Sequence, residues 1–239
     1  MFGRDRRVDE PPVPVVPWAD AWEFAVSDVE LPVTHRRRRA VPGARAVRVP
    51  YGAGARRVNA PCAFLPRDLP PKAPAKCLYE DPEGQRLLCS VSDPSSSGGV
   101  RQYGVLDAQG RPLGTIHRLA ALKHALRPTW RLEQPGRPEI RSSAEWAEDG
   151  PSPIVTHGIG KLLSGVAQTA ADLGAEGGDQ PARSRTLEWR SGEELVMTSS
   201  GDGRFLIRAA WLDRRLAFAY ALLRAHPAPS SRSDKAFRR

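Results

Sequence analysis

The sequence predicts a mainly β domain, an antiparallel meander that encloses one C-terminal helix, and three observations carry that expectation. Residues 101 to 140, RQYGVLDAQGRPLGTIHRLAALKHALRPTWRLEQPGRPEI, alternate short strand-like runs with turn formers. Later, TLEWRSGEELVMTSSGDGRFLIRAAWL reads as three further strands, with turns at Ser191-Gly192 and Gly201-Asp202-Gly203. Directly after it, the run Leu216 to Leu223 is apolar on every side of a helix, which a surface helix is not. A helix without a polar face has to be surrounded by something.

In chain order, residues 1 to 76 are dense in proline (PPVPVVPW, LPRDLPPKAPAK) and hold the block Arg36 to Arg39. That composition predicts an N-terminal arm, largely extended or disordered. Within it Trp22, Phe24 and Val26 alternate at period two, which suits a short strand docking on the body. From residue 77 the pattern changes. CLYEDPEG is a strand entering a turn, RLLCSVS a second strand and DPSSSGG a loop of turn formers. Asp107 to Gly110 then turns the chain between two β-prone runs, and Gly114 marks either a bulge or a close backbone approach. TWRLEQPGRPEIRS follows as a hairpin turning at Pro135-Gly136. In residues 153 to 173, Ile154, Val155, Ile159, Leu162, Leu163, Val166, Ala170 and Leu173 recur at helical spacing, predicting an extra amphipathic helical insertion. After Arg224 a polar, basic tail over 227–239 is expected to stay unfolded.

The formal charge of +9 would suggest an anionic partner, but it is unevenly placed. Residues 77 to 226 hold 18 basic and 18 acidic side chains; residues 1 to 76 hold 14 and 8, and residues 227 to 239 hold 4 and 1. The predicted body is therefore neutral, and the excess lies on its flanks. Arginine outnumbers lysine 31 to 5 and Asn59 is the sole asparagine, a bias that GC-rich codons would also produce. Cys62, Cys77 and Cys89 are too widely spaced for a zinc clamp and odd in number for a disulfide framework. No signal-like apolar segment follows Met1 and no window approaches a membrane span, so a cytoplasmic location is expected.

YGVLDAQGRPLG, the TWRL strand after it and the late GRFLIRAAWLDRRLAFAYALL resemble the tubby C-terminal-like superfamily, in the pattern of its phospholipid scramblase-like and LURP-one-related branches. The resemblance covers roughly residues 77 to 226. It implies a closed antiparallel β-barrel around a hydrophobic C-terminal helix, placed here at Leu216 to Leu223. Elementary physics agrees, because closure removes the sheet edges and leaves a lumen that an all-apolar helix can fill. Two departures bear on function. Scramblases carry an acidic, calcium-associated segment before the terminal helix, whereas GDGRFLIRAAWLD offers only Asp202 and Asp213 among arginines. Calcium needs several oxygen ligands, so no metal is expected. Tubby proteins hold phosphoinositide headgroups in a lysine and arginine pocket, and no cluster within 77 to 226 matches it by spacing.

Catalytic signatures are missing from the sequence. In GIGKLLSG, Lys161 is followed by Leu162 where a phosphate loop requires Ser or Thr. His35, His117, His124, His157 and His226 form no ligand pair, and Glu193-Glu194 read as solvated charge beside a turn. The expectation is a non-enzymatic binding or scaffolding module without a cofactor. Arg36, Arg37, Arg38 and Arg39 are its one dense charge run, either a solvated linker or a contact to anionic phospholipid headgroups. A protein partner is an alternative occupant. A nucleic-acid accessory role is less favoured because the predicted body is neutral and Trp130, Trp146, Trp189 and Trp211 fall where barrel packing needs them. An enzyme with a site at the barrel mouth ranks last.

Overall fold

The computed structural model describes residues 13–65, 76–119, 129–142 and 186–225. They form one antiparallel sheet of thirteen strands: β1 (Glu23–Leu31), β2 (Val41–Tyr51), β3 (Val58–Phe64), β4 (Lys76–Tyr79), β5 (Leu87–Val91), β6 (Ser95–Ser97), β7 (Val100–Asp107), β8 (Pro112–Leu119), β9 (Thr129–Glu133), β10 (Ile140–Ser142), β11 (Leu187–Ser191), β12 (Glu194–Ser199) and β13 (Arg204–Ile207). β1 pairs with β13, and β5 pairs with β7, so twelve strands close on themselves while β6 is added to β7 at the rim. Closure leaves the wall no free edge.

Helix α1 (Arg214–Ala225) follows β13 and occupies the lumen. Every residue from Leu216 to Leu223 is at most 4% exposed, as an apolar helix inside a barrel must be. Its contacts run around the wall. Phe218 meets Phe24 of β1 edge-on at 4.7 Å, and Tyr220 meets Trp189 of β11 at 4.6 Å, Trp130 of β9 at 5.3 Å and Phe205 of β13 at 5.8 Å. At Gly114 of β8 the helix comes close to the wall. A Cβ there would stand 3.0 Å from a Leu216 methyl and collide with the Glu133 carbonyl oxygen of β9. The register also slips between Val105 and Leu106 opposite it, so this position combines a close approach with a bulge.

The predicted boundary at residue 76 is not where the domain begins. Residues 23–64, expected to be arm, supply three of the twelve barrel strands, and Lys76 opens a fourth. The prolines that argued against strands sit at irregularities: Pro42 pairs with Val29 between register shifts, and Pro61 pairs with Arg48 just past another. A bulge leaves a residue outside the ladder, so the missing amide costs little there. Arg48, one of the basic residues of the region expected to be an arm, is 2% exposed within the wall. Its guanidinium donates to the carbonyls of Ser27, Ala44 and Asn59 and to the Glu30 carboxylate. The helical insertion predicted over 153–173, the phosphate-loop look-alike at 158–165 and the 227–239 tail lie outside the described residues.

Candidate functional site

Strand direction divides the barrel into two ends. Connections 52–57, 80–86, 108–111, 134–139 and 192–193 are tight and share one end, with residues 208–213 leading into α1. The connections after β1, β3, β5, β8, β10 and β12 all leave from the other, the loop end, toward which α1 runs.

The tight-turn end is densely paired among its own residues, although Arg214 Nε is buried there without a hydrogen-bond partner among the described residues. Asp213 caps α1 by accepting from the Arg215 amide at 2.9 Å, and its carboxylate takes the Arg215 guanidinium at 2.7 and 3.1 Å. Arg215 also lies over Trp18 at 5.1 Å and Arg214 over Trp22 at 4.1 Å. Arg214 Nη1 donates to the carbonyls of Ala210 and Leu212. Gln134 bridges the end by donating to the Trp211 carbonyl and accepting from the Asp213 amide, both at 2.9 Å. Glu194, expected to be solvated, accepts from Trp211 Nε1 at 3.1 Å. Each arginine of this set has an aromatic face, a carboxylate or a carbonyl, and such groups stabilise an end without recognising anything.

The loop end is different. Pairing of β1 with β13 stops at Ala25, and pairing of β2 with β3 stops at Ala46. Beyond those points, apart from the Leu65 amide donating to the Arg45 carbonyl, β1 and β2 pair with each other, through Val29 with Pro42 and Leu31 with Val41, as a ribbon projecting from the rim. Asn59 braces its base by donating to the Val29 carbonyl at 3.0 Å. Arg36 to Arg39 occupy its tip. The backbones of Thr34 and Arg37 exchange hydrogen bonds, and Arg37 Nη1 donates to the Pro32 carbonyl, leaving Arg36, Arg38 and Arg39 exposed. Val33 is 62% and Val41 42% exposed on either side of the run.

Four more cations gather at the mouth itself. On β7, β8 and β9 the buried Tyr103, Ile116 and Leu132 mark the lumen-facing positions, and Arg101, Arg118 and Trp130 share that parity one layer nearer the rim. Arg101 stands opposite Arg118, and Arg118 opposite Trp130. Lys76 of β4 joins them with its Nζ 5.9 Å from the Tyr103 ring, and Arg224 reaches the mouth from the last turn of α1. Sequence reading missed this group because its members are scattered along the chain. The available signal was a cation at the apolar parity of a strand end.

Other reactive groups are inert. Burial pushes the thiols of Cys62 and Cys89 up to about 12, so both are protonated at neutral pH. Burial also pushes the Tyr220 phenol well up, offset only in part by the nearby Arg224. Asp202 and Asp213, weighed for calcium, sit at opposite ends of β13 and pair with Arg204 and Arg215, respectively. No group of three metal-ligating side chains occurs among the described residues, and none of their helices is long and apolar enough to cross a membrane. On the outer wall, Glu23, Ser27, Arg48, Arg57, Asn59 and Arg204 line a depression of about 110 Å³, room for a few waters. Comparison of the chain with family models, with curated proteins and with solved structures gives no match.

Proposed function

We propose that this protein is a non-enzymatic, tubby-like binding module that attaches peripherally to the inner face of a membrane by pressing its β1–β2 ribbon against anionic phospholipid. The observation that carries the reading is the pairing of exposed Val33 and Val41 with Arg36, Arg38 and Arg39 on one projecting tip. A solvated linker gains nothing from bare valines. At a bilayer interface the arginines meet phosphates while the valines enter the boundary of the acyl region. Each basic residue near an anionic leaflet contributes about 1 kcal/mol, so the run supports reversible attachment and not insertion. The order of a closed barrel around an apolar helix supports the tubby-like part of the reading, as does the resemblance of YGVLDAQGRPLG and GRFLIRAAWLDRRLAFAYALL.

Vesicle flotation tests it. The protein is expected to float with phosphatidylserine-rich vesicles and not with pure phosphatidylcholine, and replacing Arg36, Arg38 and Arg39 with Gln together with Val33→Ser should abolish flotation. Equal flotation of this variant and the parent would remove the ribbon from the mechanism. A single-stranded nucleic acid bound more tightly than the vesicles at matched salt would replace lipid as the partner.

A further inference from the structure

The barrel treats its two rows of arginines differently. On the outer wall Arg131, Arg141 and Arg190 are register neighbours on β9, β10 and β11. Carboxylates are interleaved with them: Glu139 lies 3.4 Å from Arg131 and 2.8 Å from Arg141, and Glu188 lies 3.1 Å from Arg190. At the mouth, no carboxylate of the described residues lies within 4.0 Å of Lys76, Arg101, Arg118 or Arg224. Yet Arg101 and Arg118 are directly opposed on neighbouring strands, where like charges destabilise a sheet.

Aromatic rings hold three of these cations in place instead. Arg118 lies over Trp130 at 5.5 Å, Lys76 over Tyr103 at 5.9 Å and Arg224 over Phe205 at 6.0 Å. Stacking satisfies the face of a guanidinium and leaves its edge donors to an acceptor. Arg224 Nη1 and Tyr220 Oη are shielded from solvent beside each other, and Ser142 Oγ is buried without a partner among the described residues, as Arg214 Nε is at the tight-turn end. A donor buried in that state is costly unless something fills the gap.

We infer that the mouth is a binding site for a linear polyphosphate, free or as the phosphate chain of a nucleotide. Arg101 and Arg118 form its centre, with Lys76 and Arg224 at its flanks. β4 and β8 are separated by β5 and β7 in the wall, which at about 4.8 Å per strand spreads the cations over roughly 14 Å. One tetrahedral anion cannot span that arc; a chain of phosphates can, and arginine edges bind such oxygens in bidentate fashion. The site needs no membrane and shares no residue with the β1–β2 ribbon.

Calorimetry on the full chain tests this with inorganic phosphate, pyrophosphate, tripolyphosphate and a nucleoside triphosphate. Saturable one-to-one binding of tripolyphosphate is expected, at least about tenfold tighter than phosphate. Arg118→Gln and Arg101→Gln should each weaken it about tenfold, while Arg131→Gln on the neutralised outer row leaves it unchanged. Binding of the nucleoside triphosphate as tightly as tripolyphosphate assigns recognition to the phosphate chain alone, and tighter binding adds a contact to the base; either supports the site. Should Arg118→Gln fail to fold, Arg101→Gln at the rim and the melting temperature of the parent with tripolyphosphate carry the test, since a ligand selective for the folded state must raise it. The inference is overturned if phosphate and tripolyphosphate bind alike, if Arg131→Gln costs as much as Arg101→Gln, or if tripolyphosphate leaves the parent's melting temperature unchanged. It is equally overturned as a separate site if Arg101→Gln abolishes flotation on phosphatidylserine vesicles.

Discussion

Gly114→Ala isolates the contact between helix and wall. The added Cβ would stand 3.0 and 3.1 Å from the two methyls of Leu216 and would collide with the Glu133 carbonyl oxygen. A leucine methyl can swing aside, but a carbonyl held in a sheet cannot, so the cost belongs in the middle to upper part of the 1–3 kcal/mol range for overpacking, about 2 kcal/mol. In a domain of this size that lowers the melting temperature by about 4–8 °C. Leu216→Ala alone, at a fully buried position, should cost about 3 kcal/mol through lost burial and the cavity left behind. The informative variant is the double. Removing the methyls makes room for the new Cβ, so the two changes together should cost at least about 1 kcal/mol less than their sum, with the Glu133 oxygen preventing full recovery. Thermal and urea denaturation of the four proteins measure this coupling. Strict additivity would mean that the Glu133 oxygen alone sets the cost and would refute the proposed contribution of the Leu216 methyls.

Two further outcomes are expected. Deleting residues 1–65 removes β1 to β3, takes Phe24 from Phe218 and reopens the barrel at β13, so no cooperative melt should remain; a truncated body that melts sharply by circular dichroism would restore the arm interpretation. Asp107 contributes to the acid limb, beside Asp81 and Asp202. Burial alone would raise its pKa, but the Arg111 amide and guanidinium and the Gln109 amide outweigh it and hold the carboxyl below its ordinary 3.8. A carboxyl more acidic in the folded state contributes stability that is full above about pH 4 and fades as pH falls through the folded value. Asp107→Asn should therefore destabilise at neutral pH and flatten the loss of stability below pH 4, and parallel acid titrations of the two proteins would argue against the role.

The parts of the fold legible in sequence are those where the local signal and the tertiary demand coincide. Turn formers at Asp107 to Gly110 and Pro135-Gly136 sit between β-prone runs and close the β7–β8 and β9–β10 hairpins. The run Leu216 to Leu223 announced its own enclosure. β1 to β3 were hidden because Pro42 and Pro61 advertise disorder unless one knows that bulges receive them, and Arg48 advertises surface unless one knows that four acceptors meet it inside the wall. The candidate sites divide in the same way. Arg36 to Arg39 is a contiguous run and could be read directly, while the mouth exists only after closure brings Lys76, Arg101, Arg118 and Arg224 to one rim.

The direction of α1 bears on why such a mouth is tolerated when empty. Asp213 and Arg215 occupy the helix N-terminus at the tight-turn end, so the C-terminus, with its partial negative charge and unpaired carbonyls, comes up among the four cations. That field favours positive side chains within the last turn, and Arg224 sits there. It amounts to about half an elementary charge and falls off within a turn, so it offsets Arg224 and leaves Arg101 and Arg118 opposed. An end that merely needed stability would interleave carboxylates, as Glu139 and Glu188 do on the outer wall. Residual positive charge at one end, part of it fixed by aromatic stacking, with arginines paired to carboxylates and carbonyls at the other, is the arrangement expected when the missing anion comes from outside the described residues.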